Sequence, residues 1–120
     1  MSKALCVDGA ELDWGSITNP SFEIITPPST TVKADGKGVY GGTVVVMLNA
    51  SQNGANTQSA PMSFTFNGDA TKVKVDVGAP LLEGIQATAT VAYVTPKGDP
   101  APAPVTCTWK KAGQTVVKGV

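Results

Sequence analysis

Along this chain apolar and polar residues alternate in short runs, and no window of about 11 residues places apolar positions at the three- and four-residue spacing of a helix face. Gly or Pro interrupts most stretches, so the pattern predicts strands and no long helix. The segments Leu5–Val7, Phe22–Thr26, Thr43–Leu48, Met62–Phe66, Thr71–Val77, Ile85–Val94, Val105–Trp109 and Gln114–Val117 are rich in β-branched or aromatic residues and bounded by turn formers. The sharpest local signal is PMSFTFNGDATKVKVDV, where Asn67-Gly68 offers the two positive-φ positions of a type I′ hairpin turn. A two-residue loop there sets Phe66 opposite Asp69, Phe64 opposite Thr71 and Met62 opposite Val73. Met62, Phe64, Phe66 and Val73 then share one face, and Ser63, Thr65, Lys72 and Lys74 take the other.

Ile85, Ala87, Ala89, Val91 and Tyr93 alternate with Gln86, Thr88 and Thr90, which predicts another one-sided strand. Its apolar face is mostly small, so the opposing layer is expected to come close. Residues 51–59 (SQNGANTQS) and 96–104 (PKGDPAPAP) read as loops, the second as a stiff, extended connection too rich in Pro for a central strand. With no internal repeat and no linker, residues 1–120 are expected to form one all-β domain of short antiparallel strands and hairpins. A length of 120 residues suits one core and not two.

Composition narrows the function. Charged residues make up 15%, against about 25% in an average soluble domain, so Thr, Ser, Asn, Gln and Gly must finish the surface. The basic residues are all Lys, and nine acids balance nine bases. Nucleic-acid binding is therefore not expected, since it needs a basic face and favours Arg at base edges. The longest apolar run, Val44–Leu48, is far shorter than the ~20 residues of a membrane-spanning helix, so no membrane insertion is expected. The start MSKALCVDGAELDWG lacks the apolar stretch and cleavage site of a secretory signal, which predicts synthesis in the cytoplasm without a signal peptide.

Candidate chemistry is sparse. The absence of His removes the usual general base and the commonest metal ligand, so no enzyme is expected. Asp8, Glu11 and Asp13 read as a solvated acidic loop. Gly36, Gly38, Gly41 and Gly42 read as turn glycines, because a strand follows them where a phosphate site would need a helix. Two thiols cannot make a four-ligand zinc site, so no metal or cofactor is expected. Cys6 and Cys107 lie in predicted strands at opposite ends of the chain, so both ends are expected to meet in one sheet, N-terminal strand beside C-terminal strand. Either buried thiols or a disulfide fits that arrangement. Trp14 and Trp109 lie close to those strands and are expected to close a core around the termini.

The opening K-A-L-C-V-D-G-A-E-L-D-W-G-S resembles the start of the PAAR-like proteins, tip proteins of contractile injection systems, through Cys6, Val7, Gly9, Ala10, Leu12 and Ser16. The close V-T-C-T-W-K-K-A-G-Q-T-V-V is similar to that family's Cys-x-Cys-x-Trp ending, with Cys107 and Trp109 in matching places. Trp14 and Val105 stand where the family pattern has its other cysteines, and the His and Cys ligands of a zinc-bound apex are missing. The middle, residues 36–100, reads as ordinary hairpins. The resemblance implies a structural part that caps the trimeric spike of a type VI secretion or phage-tail machine, docks on protein, and leaves the cell with that apparatus. The competing expectation is an immunoglobulin-like β-sandwich that binds as an adhesin or phage surface decoration.

Overall fold

The computed structural model describes residues 3–31, 33–68, 79–114 and 118–119. Their strands are β1 (Lys3–Ala4), β2 (Glu11–Asp13), β3 (Thr18–Ile24), β4 (Lys33–Ala34), β5 (Lys37–Gly38), β6 (Thr43–Asn53), β7 (Asn56–Gln58), β8 (Met62–Asn67), β9 (Gln86–Val91), β10 (Tyr93–Val94), β11 (Ala103–Lys111) and β12 (Lys118–Gly119). Every strand pairing is antiparallel and the described residues contain no helix, so the protein is an all-β domain.

β6 is the organising strand because its alternation is strict: Val44, Val46 and Leu48 are fully buried. β8 lies along its first half, pairing Val44 with Phe66 and Val46 with Phe64, and β3 covers its other side. Between Leu48 and Ala50 the β3–β6 register slips. Such a bulge shifts the side-chain alternation by one residue, and the next buried position of β6 is accordingly Ser51. β7 and β10 complete this five-stranded sheet.

A second sheet, in the order β2-β11-β9, packs on the first. Val105, Cys107 and Trp109 point inward from β11, Ala87, Ala89 and Val91 from β9, and they share one core with Val44, Val46, Leu48, Phe64 and Phe66. Ala87 and Ala89 of β9 are partly buried against this core. Each large side chain buried here contributes about 1.5–3 kcal/mol by leaving water. Pro104 is accommodated in β11 because β2 begins to pair only at Thr108, which leaves the Pro104 end an edge on that side. A smaller cluster of Leu5, Val7, Ala34, Val39 and Leu82 extends the body, whose dimensions are 49 × 24 × 22 Å.

The chain ends meet as expected, with β1 paired to β12. Two local expectations are corrected. Residues 51–59 are not a loop: β6 continues to Asn53 and turns back into β7 through Gly54-Ala55. Gly54 has φ +63° and Ala55 has no positive φ, which is the type II′ solution with Gly at the first central position. Asn67-Gly68 is not a type I′ turn, because neither residue has positive φ. Asn67 closes β8 opposite Thr43, and the Gly68 N–H donates to the Gly42 carbonyl at 2.8 Å. The strand predicted to follow, Thr71–Val77, lies outside the described residues, as do residues 115–117 of the last predicted strand. The I′ geometry occurs instead at Asp35-Gly36, with φ of 54° and 76°, joining β4 to β5.

Candidate functional site

Cys6 and Cys107 do not occupy neighbouring strands. The Cys6 N–H donates to the Leu81 carbonyl and its own carbonyl accepts from Tyr40 N–H, whereas Cys107 lies in β11 opposite Ala87. Both are buried and neither forms a disulfide. Burial pushes the Cys107 thiol up to about 12, with the nearby Asp13 charge adding to the shift, which removes the thiolate that nucleophilic or redox chemistry needs. Trp109 is completely buried, with the rings of Tyr40 at 5.1 Å and Phe66 at 5.8 Å edge-on to it. Trp14 packs against Phe64 at 5.1 Å and Phe22 at 5.2 Å. Among the described residues neither indole N–H has a hydrogen-bond partner. The two tryptophans thus form aromatic packing between the sheets.

Asp8, Glu11 and Asp13 face solvent. Asp13 accepts the Gly15 N–H at 3.0 Å, and Glu11 lies 3.7 Å from Lys111 in an exposed ion pair that adds little. Among the described residues no three His, Cys, Asp or Glu side chains gather where a metal ion could be held. An open cleft of about 500 Å³ lies between Asp35, Glu83 and the segment Lys111–Gln114. Its polar groups are largely spent on the backbone. Glu83 accepts from Ala112 N–H at 3.0 Å, Gln114 donates to the Leu5 carbonyl at 2.8 Å, and Lys37 reaches the Gly113 carbonyl beside it at 2.9 Å. These bonds tie the segment that follows β11 to Leu5, Lys37 and Glu83.

The sequence gives no hint of one buried polar cluster. The bulge turns Ser51 inward, where it donates to Gln58 Oε1 at 2.7 Å and lies 2.7 Å from the Tyr93 hydroxyl. Ser51 has one proton, so Tyr93 must be the donor in the second bond. Gln58 then donates to the Leu48 and Ala60 carbonyls, and every member is satisfied. The cluster ties β6, β7 and β10 together.

The surface best suited to recognition is β3. It is the outer strand of its sheet, and six of its seven residues are exposed. Its first half is blunted by Pro20, by Asn19 at φ 50° and by two register slips, features that discourage another chain from pairing there. Its second half is regular: Phe22, Glu23 and Ile24 pair with Leu48, Met47 and Val46, and Ile25 N–H donates to the Val45 carbonyl at 2.8 Å. Antiparallel alternation therefore directs the N–H and C=O of Phe22 and Ile24 away from β6, toward an incoming strand. Phe22 and Ile25, at 39% and 50% exposure, are the large hydrophobic side chains left exposed among the described residues. No helix among those residues is long and apolar enough to cross a membrane. No protein-family model matches the chain, and no curated protein or solved structure is detectably similar to it.

Proposed function

We propose that this chain is a non-catalytic assembly part that caps the trimeric spike of a contractile injection machine, of the type VI secretion or phage-tail kind, as its terminal motifs suggest. One observation carries the reading. The two segments that resemble PAAR-like ends are apart in sequence yet fold as one unit: Leu12 of β2 pairs with Trp109 of β11, and Val7 N–H donates to the Ala112 carbonyl at 2.9 Å. In this reading the residues between them are an insert that packs directly on the joined ends, through β9 on β11 and Phe66 on Trp109. Docking would use the regular half of β3, whose open backbone groups and apolar side chains suit addition to a β-rich partner. Synthesis in the cytoplasm and export within the apparatus belong to this proposal.

A second reading is favoured by the packing of a five-stranded sheet on a three-stranded one around a common core, the architecture of β-sandwich binding domains. Affinity isolation of the tagged protein from its host separates the two. The assembly reading expects a trimeric spike subunit among the co-purifying chains. Recovery of no spike subunit, together with tight binding to a cell-surface glycan or protein, would replace it with the binding-domain reading.

A further inference from the structure

The chain contains Asn-Gly twice, and the fold places the two copies in opposite chemical situations. Backbone cyclisation at Asn-Gly needs the glycine nitrogen to reach the asparagine side-chain carbonyl carbon, so it requires a free amide N–H, a mobile side chain and little steric cover. At Asn53-Gly54 the steric cover and hydrogen bonds that would oppose this are missing among the described residues. Gly54 is exposed at the tip of the β6–β7 hairpin and its N–H donates no hydrogen bond among the described residues. No atom lies within 4 Å of the position a Gly54 side chain would take, and the Asn53 amide forms no side-chain hydrogen bond among the described residues. At Asn67-Gly68 they are not. The Gly68 N–H is held by the Gly42 carbonyl at 2.8 Å, Asn67 Oδ1 accepts from Thr43 Oγ1 at 3.0 Å, and the Ala79 carbonyl crowds Gly68.

We propose that Asn53 is a site of spontaneous deamidation in the folded protein and that Asn67 is protected from it. The Gly54 nitrogen attacks Asn53 Cγ and loses its proton. The new N–Cγ bond closes a succinimide as the Cγ–Nδ2 bond breaks and ammonia leaves. One water then opens the ring at either carbonyl, giving an aspartyl or an isoaspartyl residue at position 53. No oxidant or enzyme is needed. The aspartyl product adds a carboxylate to the hairpin tip. The isoaspartyl product also inserts a methylene into the backbone, which spoils the Asn53–Asn56 and Gln52–Thr57 pairing beside the Ser51–Gln58–Tyr93 cluster.

The test is incubation of the full-length protein at mildly alkaline pH, with fragment-ion mass mapping that resolves the two sites. Conversion at Asn67 should be slower than at Asn53 by on the order of tenfold or more, because attack there first requires two hydrogen bonds to open. In denaturant the two sites should convert at similar rates, since the fold alone distinguishes them. Asn53→Gln, whose ring closure is disfavoured, should abolish the fast phase while leaving the circular dichroism spectrum unchanged. Absence of conversion at Asn53 in the folded protein, or conversion of Asn67 at an equal or greater rate, would overturn the proposal.

Discussion

Among the described residues Trp109 is the largest fully buried side chain and carries a buried donor with no partner, so its two roles can be separated by size. Trp109→Ala removes the ring that Tyr40 and Phe66 pack against and should cost about 3–5 kcal/mol. Trp109→Phe keeps a ring in the same place. The void it leaves is roughly 40 Å³, which at about 24 cal/mol per Å³ costs about 1 kcal/mol. Lost transfer of the missing atoms adds about 1 kcal/mol. Against this, the substitution removes an orphaned N–H whose burial without a partner costs about 1–3 kcal/mol. The net change for Trp109→Phe should therefore lie within about 1 kcal/mol of zero, a small fraction of the alanine effect. Urea and thermal unfolding followed by far-ultraviolet circular dichroism measures both without relying on the altered fluorophore. In a domain of this size the alanine variant should melt lower by roughly 10–20 °C, and the phenylalanine variant by no more than about 5 °C. A phenylalanine variant as unstable as the alanine variant would refute the view that the indole N–H is a liability.

Other substitutions probe the corrected turns, the buried thiol and the open edge. Gly68 is required because its backbone lies against the Ala79 carbonyl, so Gly68→Ala, Gly68→Asn and Gly68→Val should each destabilise by roughly 1–3 kcal/mol in chemical unfolding. A well-tolerated asparagine there would instead favour a positive-φ turn. Cys107 titrates at about 12 in the folded state, above the 9.0 of an exposed thiol, so the unfolded chain loses this proton first. Stability from this group is intact below pH 9.0 and falls as pH rises toward 12, and alkylation of Cys107 at neutral pH should need prior unfolding, which mass mapping with and without denaturant tests. Ile25→Ser, just past the end of β3, should leave unfolding midpoints within about 0.5 kcal/mol of the parent while weakening partner capture.

What the sequence made legible was whatever a strict two-residue alternation decides. Phe64 and Phe66, alternating with Ser63 and Thr65, declared the buried face of β8, whereas the continuous apolar run Val44–Leu48 announced a strand without saying that Val44, Val46 and Leu48 are its buried positions. Turn chemistry was less transferable. Four Asn-Gly or Asp-Gly pairs, at Asp8, Asp35, Asn53 and Asn67, carry the same local preference, and only tertiary context decides which one turns a hairpin and how. Asn67-Gly68 was overridden because β8 pairs with β6, which draws Gly68 against Gly42 and Ala79. The Ser51–Gln58–Tyr93 cluster escaped notice because a bulge, which no alternation announces, turned Ser51 inward. The β3 edge was visible only as a short strand, since edge position is a property of sheet order and not of local sequence.

A chain with nine bases, nine acids and an apolar β edge has little electrostatic attraction to offer, so docking should be insensitive to salt. The decisive measurement is co-elution of the purified protein with the trimeric spike of the same genome at about 0.1 M and about 1 M salt, across which the Debye length falls about threefold. A complex of equal yield under both conditions, lost when Ile25→Lys places a charge on the β3 edge, is the expected result. Absence of a complex at either salt concentration, or one that survives Ile25→Lys and dissolves at high salt, would contradict the account.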